Sequence, residues 1–192
     1  MTALVSHAPS DALRLVLATN DLVVVAGIPG AGKSTVLHEA DNRAGAAVID
    51  SEHVARRLSE VVPAWLSYRW YRPVVHLVHR WRILRAAMSF AGPVIAHLPA
   101  TCWRTRALLI LIGMLSRRTR RLVWISVDPD DAYRAQVGRG RVSRPRSFAR
   151  HVRHARAIED VLRDTGRLRG WHSAQVLRRP PRGTRLVLAP RS

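Results

Sequence analysis

The residues most clearly arranged for chemistry form a glycine-rich run that ends in lysine, serine and threonine. Glycines allow the backbone to curl so that successive N–H groups point at phosphate oxygens. In the pattern G-x-x-x-x-G-K-[ST], the lysine reaches the β- and γ-phosphates and the next hydroxyl lies on Mg²⁺. The run therefore predicts an ATP phosphate site, with Lys33 catalytic and Ser34 at the metal. The expected contacts are Gly27, Ile28, Pro29, Gly30, Ala31, Gly32, Lys33, Ser34 and Thr35.

The residues around this run place it between a strand and a helix, the setting that the pattern requires. Residues 21–26 are dominated by β-branched and apolar residues, which is typical of a buried strand. Residues 36–40 begin a helix that we expect to reach about Arg43 and to end at Gly45. Composition agrees, because 31 of the 32 basic residues are arginine and the single lysine is Lys33.

A second candidate for chemistry is Asp50, which directly follows the apolar stretch 46–49. A carboxylate at the carboxyl end of a strand lies at the sheet edge where ligands bind in open α/β folds. The position predicts a general base that contacts the substrate, or a ligand to Mg²⁺-bound water. The alternative is a structural role as the N-cap of a helix over residues 53–61, although Ser51 can serve as that cap.

Arginines and aromatic residues follow Asp50. Arg56 and Arg57 would lie early in the helix over 53–61, where they face either an acceptor phosphate or solvent. Residues 61–72 interleave tryptophan, tyrosine and arginine. This pattern is compatible with packing of a connector, with stacking on a substrate or with a membrane interface.

Residues 92–97 predict a third strand that ends at His97. Many phosphate-loop enzymes carry at this position the acid that holds the Mg²⁺ shell. His97 either contacts a phosphate or the acceptor, or is a neutral histidine held by hydrogen bonds. His76 and His79 are three residues apart, but no third ligand accompanies them, so we expect no metal there.

Residues 136–147 predict a mobile lid. Arg139 and Arg141 alternate with glycines and precede a helix, as expected of a segment that closes over polyphosphate and neutralises its charge. We therefore expect Arg139 to be catalytic and both arginines to contact the nucleotide. The alternative is a flexible surface loop.

The remaining pattern predicts several structural elements. A short helix is expected over residues 10–17, a basic surface turn over 117–121, a fourth strand over 122–127 and one or two short strands near 174–177 and 184–188. Asp128 should cap a helix that begins at Pro129, and Gly166 should end a helix over 147–165. A helix over 102–117 is apolar nearly all round, which predicts burial. From Pro73 onwards, one helix face is predicted to be core: Val74, Leu77, Val78, Trp81, Leu84 and Met88.

Length and composition bound the remaining classes. With 192 residues and 47% hydrophobic content, we expect one domain, with a core over about 21–178. A net charge of +19 indicates attraction to polyanions, so nucleic acid is a candidate partner. The single cysteine, Cys102, excludes an internal disulfide. The sequence shows no secretory signal and no apolar run long enough to span a membrane, which predicts a cytoplasmic protein.

The chain resembles small P-loop kinases of the polynucleotide, gluconate and shikimate kinase type, which are often described among AAA-family ATP-binding proteins. The residues that carry the resemblance are Gly27 to Thr35, Asp50, and the region 136–141 with the helix after it. The resemblance implies that Asp50 takes the proton of the acceptor hydroxyl. It also implies that Arg56 holds the acceptor and that Arg139 and Arg141 contact the nucleotide.

These observations predict a three-layer α/β fold, with a parallel sheet of about five strands flanked by helices. The expected function is transfer of the ATP γ-phosphoryl group to a hydroxyl acceptor, with Mg²⁺ as the metal. One alternative is a nucleotide-binding regulator or slow ATPase that docks through its basic surface. Another is a toxin-like kinase that acts on a nucleotide sugar.

Overall fold

The computed structural model describes residues 5–7, 13–50, 68–138, 142, 144–181 and 184–191. Its centre is a five-stranded sheet in which every neighbouring pair of strands is parallel. The strand order is β5-β6-β3-β7-β8. These strands are β3 (Asp21–Ala26), β5 (Ala47–Asp50), β6 (Val94–His97), β7 (Thr119–Ser126) and β8 (Ser173–Arg178). All residues of β3 and β6 are buried, which explains why these strands are continuous apolar runs rather than alternating ones.

Helices flank this sheet, so the predicted three-layer α/β fold is confirmed. The described helices are α1 (Lys33–His38), α2 (Tyr68–Ser89), α3 (Trp103–Leu115), α4 (Pro129–Val137) and α5 (Pro145–Thr165). The predicted capping is also confirmed. The Asp128 carboxylate accepts a hydrogen bond of 2.8 Å from the Asp130 N–H, and Gly166 ends α5 in the left-handed conformation.

A second sheet, which the sequence analysis did not predict, joins the two ends of the chain. Its order is β1-β2-β9-β4, and it comprises β1 (Val5–His7), β2 (Leu13–Leu17), β4 (Asp41–Asn42) and β9 (Leu186–Pro190). The helix predicted over residues 10–17 was wrong for its described part. Leu13, Leu15 and Leu17 are buried while Arg14 is exposed, and this period of two is that of a strand.

The same sheet explains why the helix after the glycine run is shorter than predicted. Helix α1 ends at His38 instead of continuing to Arg43, because β4 then pairs with β9. The Ala44 N–H donates to the Leu188 carbonyl at 2.8 Å, which extends this pairing into the turn. Gly45 does lie in a left-handed conformation, but it belongs to the turn before β5.

Helix α2 buries a different face from the predicted one. The buried residues repeat every four positions, at Val75, His79, Ile83 and Ala87, and the helix packs on β5 and β6. Most of the predicted core face points outward instead: Val74, Leu77, Trp81 and Met88 are exposed, whereas Leu84 is partly buried and packs against the core. Helix α2 is therefore apolar on two sides, and the side that packs on the sheet is the one that the sequence analysis did not choose.

The sequence analysis predicted that helix α3 would be buried nearly all round, and this prediction was wrong. Its buried residues are Leu109, Ile112 and Gly113. A Cβ at Gly113 would collide with the side chain of Arg120, so the glycine permits close packing of α3 on β7. The opposite side of the helix is apolar but exposed, and its large residues are Trp103, Leu111, Met114 and Leu115.

The predicted basic surface turn over 117–121 was also wrong in part. Arg118 is buried and donates hydrogen bonds to the carbonyls of Ala87 at 2.7 Å and Gly92 at 2.8 Å. Arg121 forms an ion pair of 3.1 Å with Asp21, which is fully buried. Burial raises the pKa of Asp21 above its usual value. These arginines join the loop after α2 to the start of β3 and β7.

Candidate active site

The glycine run forms a tight loop between β3 and α1. Gly27 and Gly30 both have positive φ angles, of 147° and 93°. A Cβ at Gly27 would collide with the carbonyl oxygen of Ile125, and one at Gly30 with the carbonyl oxygen of Ala132. Glycine is therefore required at both positions by close backbone approach as well as by conformation.

Lys33 is buried and is held over this loop. Its ammonium donates to the carbonyl of Ile28 at 2.8 Å and to that of Gly27 at 3.0 Å. Phosphate oxygens would accept charge-assisted hydrogen bonds from this ammonium, and such bonds are stronger than those to neutral carbonyls.

Helix α4 supports the loop through Gln136. This buried side chain donates from Nε2 to the Pro29 carbonyl at 3.0 Å. Residue 136 was predicted to begin the mobile lid, but it lies inside α4, and α5 already begins at Pro145. Arg139 and Arg141 lie outside the described residues.

Asp50 lies at the carboxyl end of β5, directly beside His97 at the end of β6. The Asp50 Oδ1 and His97 Nδ1 atoms are 2.8 Å apart, and both side chains are buried. The register of the two parallel strands aligns these residues, because Asp50 and His97 are Cα partners. His97 is therefore a hydrogen-bonded histidine, one of the two alternatives that the sequence left open.

His38 completes this cluster from the last turn of α1. Its Nε2 atom lies 3.4 Å from Asp50 Oδ2, and its side chain is 62% exposed. Ser34 and His38 are four residues apart in α1, so they share one face of the helix. Because His38 contacts Asp50, the Asp50 carboxylate lies beside the same face of α1 as the Ser34 side chain.

His79 of α2 lies close enough to this cluster to be influenced by the charges of Asp50 and His97. Burial lowers its pKa to about 4, although the Asp50 charge acts in the opposite direction. Among the described residues, neither ring nitrogen of His79 has a hydrogen-bond partner. His79 is therefore neutral at physiological pH.

A cleft of about 680 Å³ opens beside the loop. It lies between α1, α4 and the segment after β8, and Arg134 and Arg179 contribute cations to its wall. The Arg179 guanidinium lies next to Gly32, because its Nε atom is 3.4 Å from the position that a Cβ of Gly32 would occupy. The lining residues are Gly32, Thr35, Val36, Glu39, Asp131, Arg134, Ala135, Gly138, Arg179, Pro180, Pro181 and Thr184.

The structure thus groups the glycine loop, Lys33, Ser34 and Asp50 around one end of the parallel sheet. Arg56 and Arg57 lie outside the described residues, as does the segment 53–61. The sequence analysis missed His38, Gln136 and Arg179 as site residues. His38 could have been predicted, because it lies four residues after Ser34 and therefore on the same face of α1. Gln136 and Arg179 could not, because they reach the loop only through the packing of α4 and β8.

The described residues also bear on metal binding and on membrane insertion. In this part of the chain, no group of three or more histidine, cysteine or acidic residues is arranged to hold a metal ion. None of the described helices is both long and apolar enough to cross a membrane.

Comparison with known proteins gives a family and a fold. The family model described as "AAA domain" matches residues 22–170, which is more than half of the chain. No curated protein sequence matches this chain. Three solved structures that resemble it are between 12% and 19% identical to it, so their likeness concerns the fold alone.

Two of these structures share the fold with TM-scores above 0.5. The first comes from the PezAT chromosomal toxin–antitoxin system of Streptococcus pneumoniae. It has a TM-score of 0.60 and 12% identity, over 84% of this chain and 68% of the other. The second is a putative kinase from Chloroflexus aurantiacus, with a TM-score of 0.54 and 13% identity, over 83% and 88% of the two chains. A gluconokinase from Sinorhizobium meliloti is more distant, at a TM-score of 0.45 and 19% identity, over 85% of each chain.

Proposed function

The chain belongs to the AAA domain family, and from this premise we propose that it transfers the γ-phosphoryl group of ATP to a hydroxyl acceptor. The observation that carries the proposal is the position of Asp50. It is a buried carboxylate at the end of a parallel strand, held by His97 and linked through His38 to the helix that follows the glycine loop. A carboxylate at this strand end is suited to accept the proton of a hydroxyl that attacks the γ-phosphate.

The phosphates of ATP would lie in the glycine loop. Lys33 would exchange the carbonyls of Gly27 and Ile28 for β- and γ-phosphate oxygens. The nucleoside would extend into the adjacent cleft, where Arg179 supplies positive charge next to Gly32 and Arg134 is paired with Asp131 at 2.6 Å. Arg139 and Arg141, predicted to close over the nucleotide, remain part of this proposal.

Asp50 would act as the general base. The acceptor hydroxyl gives its proton to the Asp50 carboxylate, its oxygen forms a bond to the γ-phosphorus, and the bond from that phosphorus to the β–γ bridging oxygen breaks to release ADP. His97 Nδ1 contacts Asp50 Oδ1, and His38 Nε2 lies 3.4 Å from Oδ2. Because the His38 side chain is mostly exposed, it can move aside when an acceptor binds.

The residues present also fit Mg²⁺, which prefers oxygen ligands. The Ser34 hydroxyl is the candidate ligand, and the Asp50 carboxylate lies on the same side of α1. When bound, Mg²⁺ would neutralise charge on the β- and γ-phosphates. The adjacent strand end carries His97 where a second carboxylate is often found, so within β5 and β6 themselves Asp50 is the acid that could serve this metal.

The test combines a screen of acceptors with one conservative variant. Wild-type protein and Asp50→Asn are incubated with γ-labelled ATP and Mg²⁺, together with sugars, nucleosides, nucleotide sugars and 5′-hydroxyl oligonucleotides. We expect label transfer to at least one hydroxyl class, with the rate reduced by about 10² or more in Asp50→Asn and ATP affinity unchanged.

Two results would contradict the assignment. Full transfer by Asp50→Asn would show that Asp50 is not the base. ATP binding without transfer to any class, or with release of inorganic phosphate alone, would favour the regulator or slow ATPase that the sequence also allowed. His38→Ala is the matched control, because it removes the exposed neighbour of Asp50 and leaves the buried pair with His97 intact.

A further inference from the structure

The exposed apolar residues of this protein are concentrated on two neighbouring helices, on a side that the proposed reaction does not use. In the part of the chain that the structure describes, sixteen large hydrophobic residues are exposed, and nine of them belong to α2 and α3. We call these nine the α2–α3 surface. They are Trp70, Val74, Leu77, Trp81, Met88, Trp103, Leu111, Met114 and Leu115.

The two helices present these residues on one side of the molecule. Helix α2 packs on β5 and β6, helix α3 packs on β7, and the two helices pack on each other. Helices that contact both the same sheet and one another must lie on the same face of that sheet. Right-handed crossovers require the same arrangement, because both connections run in the same direction across the strand order. Their outward sides therefore form one continuous surface.

On α2, the apolar stripe is opposite the buried one. At 100° per residue, positions 70, 74, 77, 81 and 88 fall within an arc of about 60°. The buried positions Val75, His79, Ile83 and Ala87 are centred on the other side. A helix that is apolar on two opposite sides is expected to pack against something on both. In the part of the chain that the structure describes, only the side with Val75 and Ile83 is packed, against the sheet.

The charge of this region is of one sign. Residues 61–127 contain eleven arginines and no aspartate or glutamate. Arg80, Arg85 and Arg104 are exposed beside the apolar stripe. Two of them lie over tryptophan rings, Arg85 over Trp81 at 5.8 Å and Arg104 over Trp103 at 5.6 Å. No ion pair among the described residues involves any of the three.

We propose that the α2–α3 surface docks on a lipid bilayer that contains anionic headgroups. Such a bilayer supplies apolar chains for the tryptophan, leucine and methionine side chains and negative charge for the arginines around them. Tryptophan and arginine both suit the boundary, because each has an apolar body and a polar end. The protein would lie on the membrane, in keeping with the finding that none of the described helices can span one.

Charge also argues against a second copy of this chain as the occupant. Two copies of the surface placed face to face would bring Arg80, Arg85 and Arg104 of each close to the same arginines of the other. No acidic residue between 61 and 127 is available to compensate them. A flat, two-helix surface is also wider than the single narrow seam that a partner helix requires.

The test uses the full chain and vesicles of defined composition. Sedimentation is measured with vesicles of phosphatidylcholine alone and with vesicles that also contain phosphatidylglycerol. We expect binding only to the anionic vesicles, weakened by salt. Quenching of tryptophan fluorescence by brominated phosphatidylcholine in the anionic vesicles shows contact directly. Most of it should disappear when Trp70, Trp81 and Trp103 are replaced by phenylalanine, whereas Trp171→Phe should change it little.

Two pairs of charge reversals separate this surface from general basicity. Arg80→Glu with Arg85→Glu changes the α2–α3 surface. Arg14→Glu with Arg185→Glu makes the same net change at exposed positions in and next to the second sheet, outside the helical layer that contains α2 and α3. The α2 pair should lower vesicle affinity by about tenfold or more, and the second-sheet pair by much less. Leu77→Ser with Leu111→Ser should also weaken binding without changing the charge.

Several outcomes would overturn the proposal. Equal losses from the α2 pair and the second-sheet pair would mean that any basic surface suffices. Absence of binding to anionic vesicles, with binding retained to polyglutamate or RNA, would assign the face to a soluble acidic polymer. A dimer that Leu77→Ser dissociates would assign it to a second copy. Trp124 is fully buried, so the emission of Trp70, Trp81 and Trp103 is taken as the difference between wild type and the variant with all three replaced by phenylalanine. If that difference spectrum in the free monomer is already that of buried rings, the chain covers the face itself.

Discussion

The strand-end site and the α2–α3 surface differ in how their polar groups are used. At the strand ends, Lys33, Asp50 and His97 are buried and each has a partner at 2.8 Å. On the α2–α3 surface, large apolar residues and arginines are exposed, and described carboxylates do not pair with those arginines. Buried, partnered polar groups indicate a site that the protein itself preorganises. Exposed apolar groups with unneutralised charge indicate a surface completed by something else.

The two sides of α2 show this contrast most clearly, and substitutions on them give the largest expected difference in the free energy of unfolding. Ile83 is fully buried against the sheet, whereas Leu77 on the opposite side is 68% exposed. Ile83→Ala should lower the free energy of unfolding by about 3 kcal/mol, through lost burial and the cavity left behind. Leu77→Ala should change it by no more than about 0.5 kcal/mol. Urea unfolding followed by circular dichroism measures both.

If Leu77→Ala destabilised the monomer as strongly as Ile83→Ala, the outward side of α2 would be covered within the folded chain. That result would remove the contrast between the two sides of the helix. Leu111→Ala on α3, where the exposed fraction is 50%, provides a second position for the same comparison.

The second prediction concerns pH and the inward side of α2. His79 has a folded-state pKa of about 4 because burial disfavours its charged form. Since this value lies below that of the unfolded chain, the unfolded state takes up the proton first. Stability should therefore be complete above about pH 6.5 and should decline as the pH falls towards 4, by about 3 kcal/mol. Unfolding of wild type and His79→Leu across this range isolates the contribution.

His79→Leu should show a shallower decline, since the other carboxylates and histidines still titrate. A decline of equal steepness in both proteins would mean that His79 is already protonated in the folded state. That result would place a proton acceptor beside a ring whose nitrogens have no hydrogen-bond partner among the described residues.

The same contrast explains what the sequence could and could not predict. The glycine loop, the strand ending at Asp50 and the capping of α4 were predictable because each depends on residues close in sequence. The buried side of α2 was not predictable, because both sides are apolar and the choice depends on how the helix packs against β5 and β6. The strand at residues 13–17 was missed because this short apolar run was interpreted as a helix, although Leu13, Leu15 and Leu17 alternate as in a strand.

Site residues divide in the same way. Lys33 and Ser34 belong to a local motif, and Asp50 was recognised from its place at the end of a strand. The contact between Asp50 and His97 depends on the parallel register of β5 with β6, across 47 residues of sequence. Gln136 supports the loop across 107 residues, and Arg179 reaches it only after β8. Long-range packing of this kind leaves no periodicity that a single sequence can reveal.

The last prediction has the smallest minimum change in free energy, and it tests whether the glycine loop binds an anion at all. Lys33→Ala removes the cation that now contacts Gly27 and Ile28, so ATP affinity or transfer should fall at least tenfold, equivalent to about 1.4 kcal/mol. Calorimetric titration with ATP and Mg²⁺ measures the affinity. Arg117→Ala, which removes an exposed cation at the end of α3, is the matched control and should leave it unchanged. Equal affinity in wild type and a folded Lys33→Ala variant would mean that the buried ammonium only holds the loop carbonyls. The assignment of the glycine loop as the ATP phosphate site would then be wrong.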